Sequence, residues 1–215
     1  MKKVFMVIVS SLIFFCFMVN VSFAQDFEKK WGIGTRISYY MASENTIEGV
    51  SFEPDAAPLF EGNLTMFPIN WFSLEFSAGY TKTDINNDDF GVSLDFAEFK
   101  QIPLLLTGRF HWWNRSENFT LYGGGGIGYY INDAEISDLF STAVPGTKLS
   151  ADDSFGFHLA GGLEWFIASN WALNLDLKYT INKADFTLTV PGFAPDSAEF
   201  DLNAFIGGVG IKYYF

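Results

Sequence analysis

Bulky apolar residues alternate with small or polar ones along much of this chain, and the alternation is cleanest at its end. Over 205–215 the positions Phe205, Val209, Ile211, Tyr213 and Phe215 share one face, because strand side chains repeat every two residues, and Lys212 and most of the glycines take the other. The same period, bounded by turn residues, predicts eight strands over 31–41, 58–68, 71–83, 97–112, 118–131, 154–167, 171–184 and 201–215. Each reaches the ~9–11 residues that a tilted strand needs to cross hydrocarbon. Taking the bulkier apolar set as lipid-facing puts Phe72, Leu74, Phe76 and Tyr80 outward on the third strand, and Leu173, Leu175, Leu177 and Tyr179 outward on the seventh. Ser73, Glu75, Ser77, Asn174, Asp176 and Lys178 then face inward. A slip of one residue would put a lysine into lipid at ~2–4 kcal/mol near the midplane, so the phase is strongly determined.

The connections alternate in length: 68–70, 114–117 and 168–170 are short, whereas 42–57, 84–96, 132–153 and 185–200 are long. In outer-membrane barrels short turns lie in the periplasm and long loops outside, which places both termini in the periplasm. Trp31, Trp71, Trp112, Trp113 and Trp171 collect at the short-turn end, with Trp165 beside them, as amphipathic rings prefer the membrane interface. The fold class that follows is all-β, an eight-stranded antiparallel transmembrane β-barrel acting as a monomer. Within loop 132–153, Ala134 to Ala143 is expected to form a short helix over the mouth.

The first 24 residues stand outside this pattern. Lys2 and Lys3, an apolar run from Val4 to Val19, and Ser22-Phe23-Ala24 read as a secretory signal over 1–24, leaving 25–215 as one barrel domain. The run is slightly short for a spanning helix and no later run matches it, which argues against a helical membrane protein. The one cysteine, Cys16, falls inside the leader, so no disulfide framework is expected.

The net charge is −12, and its distribution is uneven. The long loops and adjoining strand ends hold most of the acids, against only Lys82, Lys100, Lys148 and Lys183. Such a surface repels nucleic acid and other polyanions. Inward positions carry Arg36, Arg109, Lys178 and Lys212 against Glu61, Glu75, Glu164 and Asp176, a balanced set of which Arg36, Glu75, Arg109, Glu164, Asp176 and Lys212 lie at similar heights above the short-turn end. An eight-stranded barrel is just wide enough for its side chains to fill, so these charges are expected to pair and plug the lower lumen. Above them Tyr40, Pro103, Leu105, Tyr130, Leu202, Ala204 and Ile206 form either an apolar pocket or ordinary lumen packing.

Three further signals are weaker. Gly123-x-Gly125-x-x-Gly128 has dinucleotide spacing but continues into Tyr129-Tyr130-Ile131 as a strand, with no helix to meet a pyrophosphate. Asp84, Asn86, Asp88 and Asp95 have calcium-loop spacing, yet Asp89 stands where the sharp turn requires glycine, so a solvated acidic loop is expected. His111 and His158 face inward, and Gly156 and Ala160 beside His158 offer no nucleophile. No catalytic residue, cofactor or metal site is therefore assigned. Pro103 removes one ladder donor inside a wall that has no edge strand, and Gly123 to Gly126 on the next strand leave little side-chain bulk beside it, so a bulge or a lateral seam is expected in this one weak zone.

Segments 102–106 (Ile-Pro-Leu-Leu-Leu), 121–130 (Leu-Tyr-Gly-Gly-Gly-Gly-Ile-Gly-Tyr-Tyr), 161–166 (Gly-Gly-Leu-Glu-Trp-Phe) with 170–174 (Asn-Trp-Ala-Leu-Asn), and the final 207–215 resemble the OmpW family of outer-membrane proteins. The resemblance covers strands four to eight well and strands one to three weakly. It implies an eight-stranded barrel with an apolar pocket that moves small hydrophobic molecules and releases them sideways into outer-membrane lipid. The competing expectation is a structural or surface-interaction barrel, for adhesion or stress protection, acting through its acidic loops.

Overall fold

The computed structural model describes residues 31–47, 50–87, 94–114, 118–137, 142 and 145–215. The signal reading lies outside the described residues. Among the described residues twelve strands follow in order: β1 (Trp31–Ala42), β2 (Asn45–Ile47), β3 (Val50–Pro54), β4 (Ala57–Ile69), β5 (Phe72–Asn87), β6 (Leu94–Asn114), β7 (Phe119–Ile136), β8 (Lys148–Ala151), β9 (Ser154–Phe166), β10 (Trp171–Thr189), β11 (Asp196–Asp201) and β12 (Ala204–Tyr214). Eight of them, in the order β4-β1-β12-β10-β9-β7-β6-β5 and back to β4, close into one antiparallel barrel. Closure is required because hydrocarbon offers no partner to an open sheet edge. The first and last described strands, β1 and β12, meet from Gly32↔Tyr214 to Ala42↔Ala204, and Phe215 N donates to Trp31 O at 2.8 Å.

The phase read from the sequence is the phase of the wall. Ser73, Glu75 and Ser77 are buried in the lumen while Phe76 and Tyr80 are exposed, and on β10 Leu173, Leu175, Leu177 and Tyr179 alternate with buried Asn174, Asp176 and Lys178. Trp31, Trp71, Trp112, Trp165 and Trp171 ring the short-turn end, where Trp71 stacks on Phe110 and Trp171 meets Tyr213 edge-on.

The long connections depart from expectation, because much of each is strand. β5, β6, β7 and β10 run several residues beyond their predicted ends, and β2, β3, β8 and β11 pair in the segments between. Over this extension the polarity of the alternation inverts. Along β10 the outward residues are apolar up to Ile181 and then become Lys183 and Asp185, while the inward ones change from Thr180 and Asn182 to Ala184 and Phe186. The same change occurs from Tyr80 to Lys82 on β5, from Ile102 to Lys100 on β6 and from Ile131 to Asp133 on β7. Lipid below and water above require opposite faces to be apolar, so the inversion marks where the wall leaves the membrane. Above it stands a crown whose core is Phe99, Ala134, Ala184, Phe186 and Leu202, with Phe200 packed against Phe186 at 4.7 Å between ring centroids.

The start of the helix expected over Ala134–Ala143 is corrected by this arrangement, whereas Thr142 within the same span is helical. Ala134–Ile136 belong to β7 opposite Ala97–Phe99, and Ala134 is buried in the crown core. Residues 138–141 and 143–144 lie outside the described residues. Asp84 and Asn86 likewise belong to β5, with Asn86 opposite Asp95 of β6, so both flanks of the calcium-like spacing are strand; residues 88–93 lie outside the described residues. The outer face of the crown carries ion pairs: Lys100 reaches Glu98 at 3.0 Å and Glu135 at 3.1 Å, and Lys82 shares Glu98. The two ammonium groups hold the Glu98 carboxyl below its ordinary value. Exposed pairs of this kind add little stability.

Candidate functional site: the barrel lumen

All eight charged residues of the lower lumen are at most 4% exposed and join in one network. Arg36 and Glu61 face each other across the β1–β4 ladder and meet at 3.4 Å. Arg36 also reaches Glu75 at 3.3 Å and Asp176 at 3.2 Å. Glu75 is the hub, since Arg109 and Lys212 bind it too, the latter at 2.7 Å. Lys212 bridges on to Glu164 at 2.7 Å, and Lys178 joins Glu61 at 2.7 Å to Asp176 at 3.0 Å. Four cations and four anions thus cancel inside the wall, as burial demands. Each carboxylate is already held by cations, and among the described residues no group of His, Cys, Asp or Glu is arranged to hold a metal.

Sequence reasoning missed the neutral members of this floor. Tyr122 donates its hydroxyl to Asp176 and lies under the Arg109 guanidinium, 4.4 Å from ring centroid to Cζ. Tyr214 donates to Glu164 Oε2 at 2.6 Å, and Asn174 links Arg36 Nε at 3.0 Å to Tyr122 Oη at 3.0 Å. Both tyrosines fall on the inward phase of their strands, which was the available signal. Below the floor Phe67, Ala172 and Tyr214 close the short-turn end. The structure also brings a hydroxyl to each histidine across strands: Ser73 Oγ lies 2.8 Å from His111 Nε2, and Thr107 Oγ1 2.8 Å from His158 Nε2. A search along one strand could not find these pairs.

The seven residues read as an apolar pocket divide between two levels. Tyr40, Ala204 and Ile206 pack with Leu59, whereas Leu202 belongs to the crown core. Pro103 is buried on the inner face of β6, and Leu105 and Tyr130 meet over Gly128, where a Cβ would lie 2.7 Å from Leu105 Cδ2 and 2.9 Å from the Tyr130 ring. Between the levels lies a cavity of about 20 Å³ bounded by Tyr40, Phe99, Phe186, Phe200 and Leu202. That is room for about one water, so these residues pack closely in this state.

Pro103 interrupts the wall on the side of β5. The β5–β6 ladder runs from Phe72↔Phe110 to Ala78↔Leu104 and resumes at Thr81↔Gln101, so Gly79 and Tyr80 have no ladder partner in Pro103 and Ile102. The β6–β7 ladder is unbroken from Ala97↔Ile136 to Asn114↔Phe119. The expectation that the lost bond and the glycines of 123–126 form one weak zone is therefore corrected: the missing N–H faces β5. Gly124 and Gly126 serve a different need. They face inward where a Cβ would collide with the Gly108 and Leu106 carbonyls of β6, so only glycine lets these strands approach so closely.

Comparison with known proteins places this architecture. The crystal structure of OprG from Pseudomonas aeruginosa superposes with a TM-score of 0.76 at 15% identity, over 87% of this chain and 96% of that one. AlkL in lipid bilayers gives 0.63 at 18% identity, over 91% and 94%, and Neisserial surface protein A gives 0.57 at 12%, over 86% and 97%. At these identities the likeness is one of fold, and it agrees with the barrel that the OmpW-like segments implied. No curated protein sequence matches the chain. The family model described as outer membrane protein beta-barrel domain matches residues 9–215, and the chain belongs to that family of outer-membrane barrels.

Proposed function

We propose that this barrel is a passive route by which small apolar molecules pass from the cell exterior into outer-membrane lipid. The observation that carries the reading is the interrupted ladder at Pro103, which lies above the charged floor and beside the apolar lumen. A solute that has parted the crown would meet paired ions below, where its burial brings no gain. Its own hydrophobicity would then favour lipid, reached between β5 and β6 at Gly79, where the wall lacks a ladder bond and only the side chains of Leu59 and Glu61 cover the inner face. The barrel acts as a monomer, with the leader 1–24 removed, the termini in the periplasm and the crown outside.

In proteoliposomes, Pro103→Val restores the N–H and should slow uptake of an apolar solute several-fold while the barrel still inserts. Unchanged uptake by a correctly inserted variant would remove the lateral route. Weight would then move to a second reading, surface interaction through the acidic crown. That reading is favoured by Phe193, which is 77% exposed on the turn that joins β10 to β11. The same residue tests orientation: chymotrypsin added to intact cells should cut at Phe193, whereas cleavage only after the periplasm is opened would invert the topology.

A further inference from the structure

Three buried side chains of the middle lumen carry polar atoms with no well-formed hydrogen bond among the described residues: Tyr130 Oη, His158 Nδ1 and Asn182 Oδ1. Their residues are 1%, 2% and 3% exposed. Buried polar atoms left without partners are uncommon enough to require a cause. These three come from neighbouring positions on adjacent strands. His158 of β9 faces Thr180 of β10, and Asn182 two residues on faces Gly156, which in turn faces Gly128 of β7. Gly128 and Gly156 carry no side chain of their own, so Leu105 and the Tyr130 ring fold over the first and Asn182 lies against the second. The Tyr130 hydroxyl approaches Thr180, whose own hydroxyl is donated to Ala204 O at 3.3 Å. His158 spends Nε2 on Thr107, and Asn182 spends Nδ2 on Ser154 Oγ at 3.1 Å.

The group lies at the foot of the apolar level. Leu202, which bounds the cavity, donates its backbone N–H to Asn182 O at 2.8 Å. A ligand seated there would have an apolar body toward the crown and a small polar head among Tyr130, His158 and Asn182. The head is uncharged, because the nearest cation, Lys178, is already bound by Glu61 and Asp176, and a carboxylate would be buried without a counter-ion. A hydroxyl fits the donors and acceptors: its oxygen accepts from Tyr130 Oη and from His158 Nδ1–H when Nε2 accepts from Thr107, and its proton goes to Asn182 Oδ1. An alkane would leave all three atoms dry.

We infer that this is a head-group site for linear primary alcohols. The inference rests on the reading of the lumen as an apolar route and names the class of solute that the route selects. The alkyl chain takes its room by parting Phe99, Phe186 and Phe200, whose packing leaves only about 20 Å³ in the closed state. A site built to bond a hydroxyl discriminates strongly against analogues that lack one.

The test is binding of 1-octanol, n-octane and octanoate to the full-length barrel in nanodiscs, by saturation-transfer NMR in deuterated lipid. The wild type should prefer 1-octanol over both others by at least tenfold. Tyr130→Phe keeps the ring and its packing, and Asn182→Leu keeps the volume. Each should bring the octanol-to-octane ratio near one while octane binding is retained. Equal binding of octanol and octane by the wild type, or a ratio unmoved in both variants, would assign the three atoms to ordered water and overturn the alcohol site alone. Failure of the wild type to bind either compound would overturn the apolar route beneath it as well.

Discussion

Arg109→Ala is expected to lower the stability of the barrel by about 3–5 kcal/mol, because it leaves a buried network with three cations against four carboxylates. Arg109 binds Glu75 and Asp176 and covers Tyr122, so its loss unbalances the hub of the floor and removes the cation over the ring. The melting temperature should fall by on the order of 10 °C. Removing an opposed pair should be gentler than removing one partner. Lys212→Met alone strips a cation from Glu75 and Glu164, whereas Lys212→Met with Glu164→Gln leaves Glu75 still held by Arg36 and Arg109. The double variant is therefore predicted to melt above the Lys212→Met single. The lower lumen should also conduct ions once the floor is broken. Should Arg109→Ala change neither melting temperature nor conductance, the floor does not support the wall as argued.

Gly126→Ala should do more damage than its single methyl suggests. The added Cβ would run into the Leu106 carbonyl within the β6–β7 ladder, and neither strand can retreat without losing pairs on its other side. A cost of about 4 kcal/mol or more places this among the severe substitutions, and the variant should fail to reach the compact, heat-sensitive gel form of a folded barrel. Gly123→Ala is the control. Its Cβ points to the lipid side and meets only the Trp112 ring at 3.4 Å, an ordinary contact, so it should fold like the wild type. Equal folding of the two variants would show that the close approach of β6 and β7 is not needed.

The membrane wall was legible because one rule holds along each strand within lipid. Leu173, Leu175 and Leu177 cannot exchange places with Asn174, Asp176 and Lys178, so period and phase were both fixed by residue type. The crown reads as loop because the rule reverses there: Phe186 turns inward and Asp185 outward, and the run of apolar residues on the lipid face stops at Ile181. The charged floor was legible as a balanced inward set. Its hydroxyl partners were not, since Tyr122 and Asp176 stand 54 positions apart and meet only across the lumen. Pro103 announced a lost bond, but which neighbour lost it depends on the direction of an N–H that the residue does not possess. The apolar residues above the floor are legible in the alternation, whereas their division into two packed levels needs the crown, which the sequence pattern does not separate from the loops.

Closure through β1 and β12 has a consequence for the order in which the molecule is made. Every other ladder of the wall joins strands that follow one another along the chain, so each can form as a local hairpin soon after its residues are available. The pairing of Gly32 with Tyr214 is the exception, spanning almost the whole chain, and its loop-closure entropy defers it to the end. Until then both outermost strands carry unpaired backbone, a template for misassembly with other chains. The slow step of biogenesis is thus the meeting of the two ends, and a variant weakened along that pairing should accumulate as an inserted, unsealed sheet rather than as an unfolded chain.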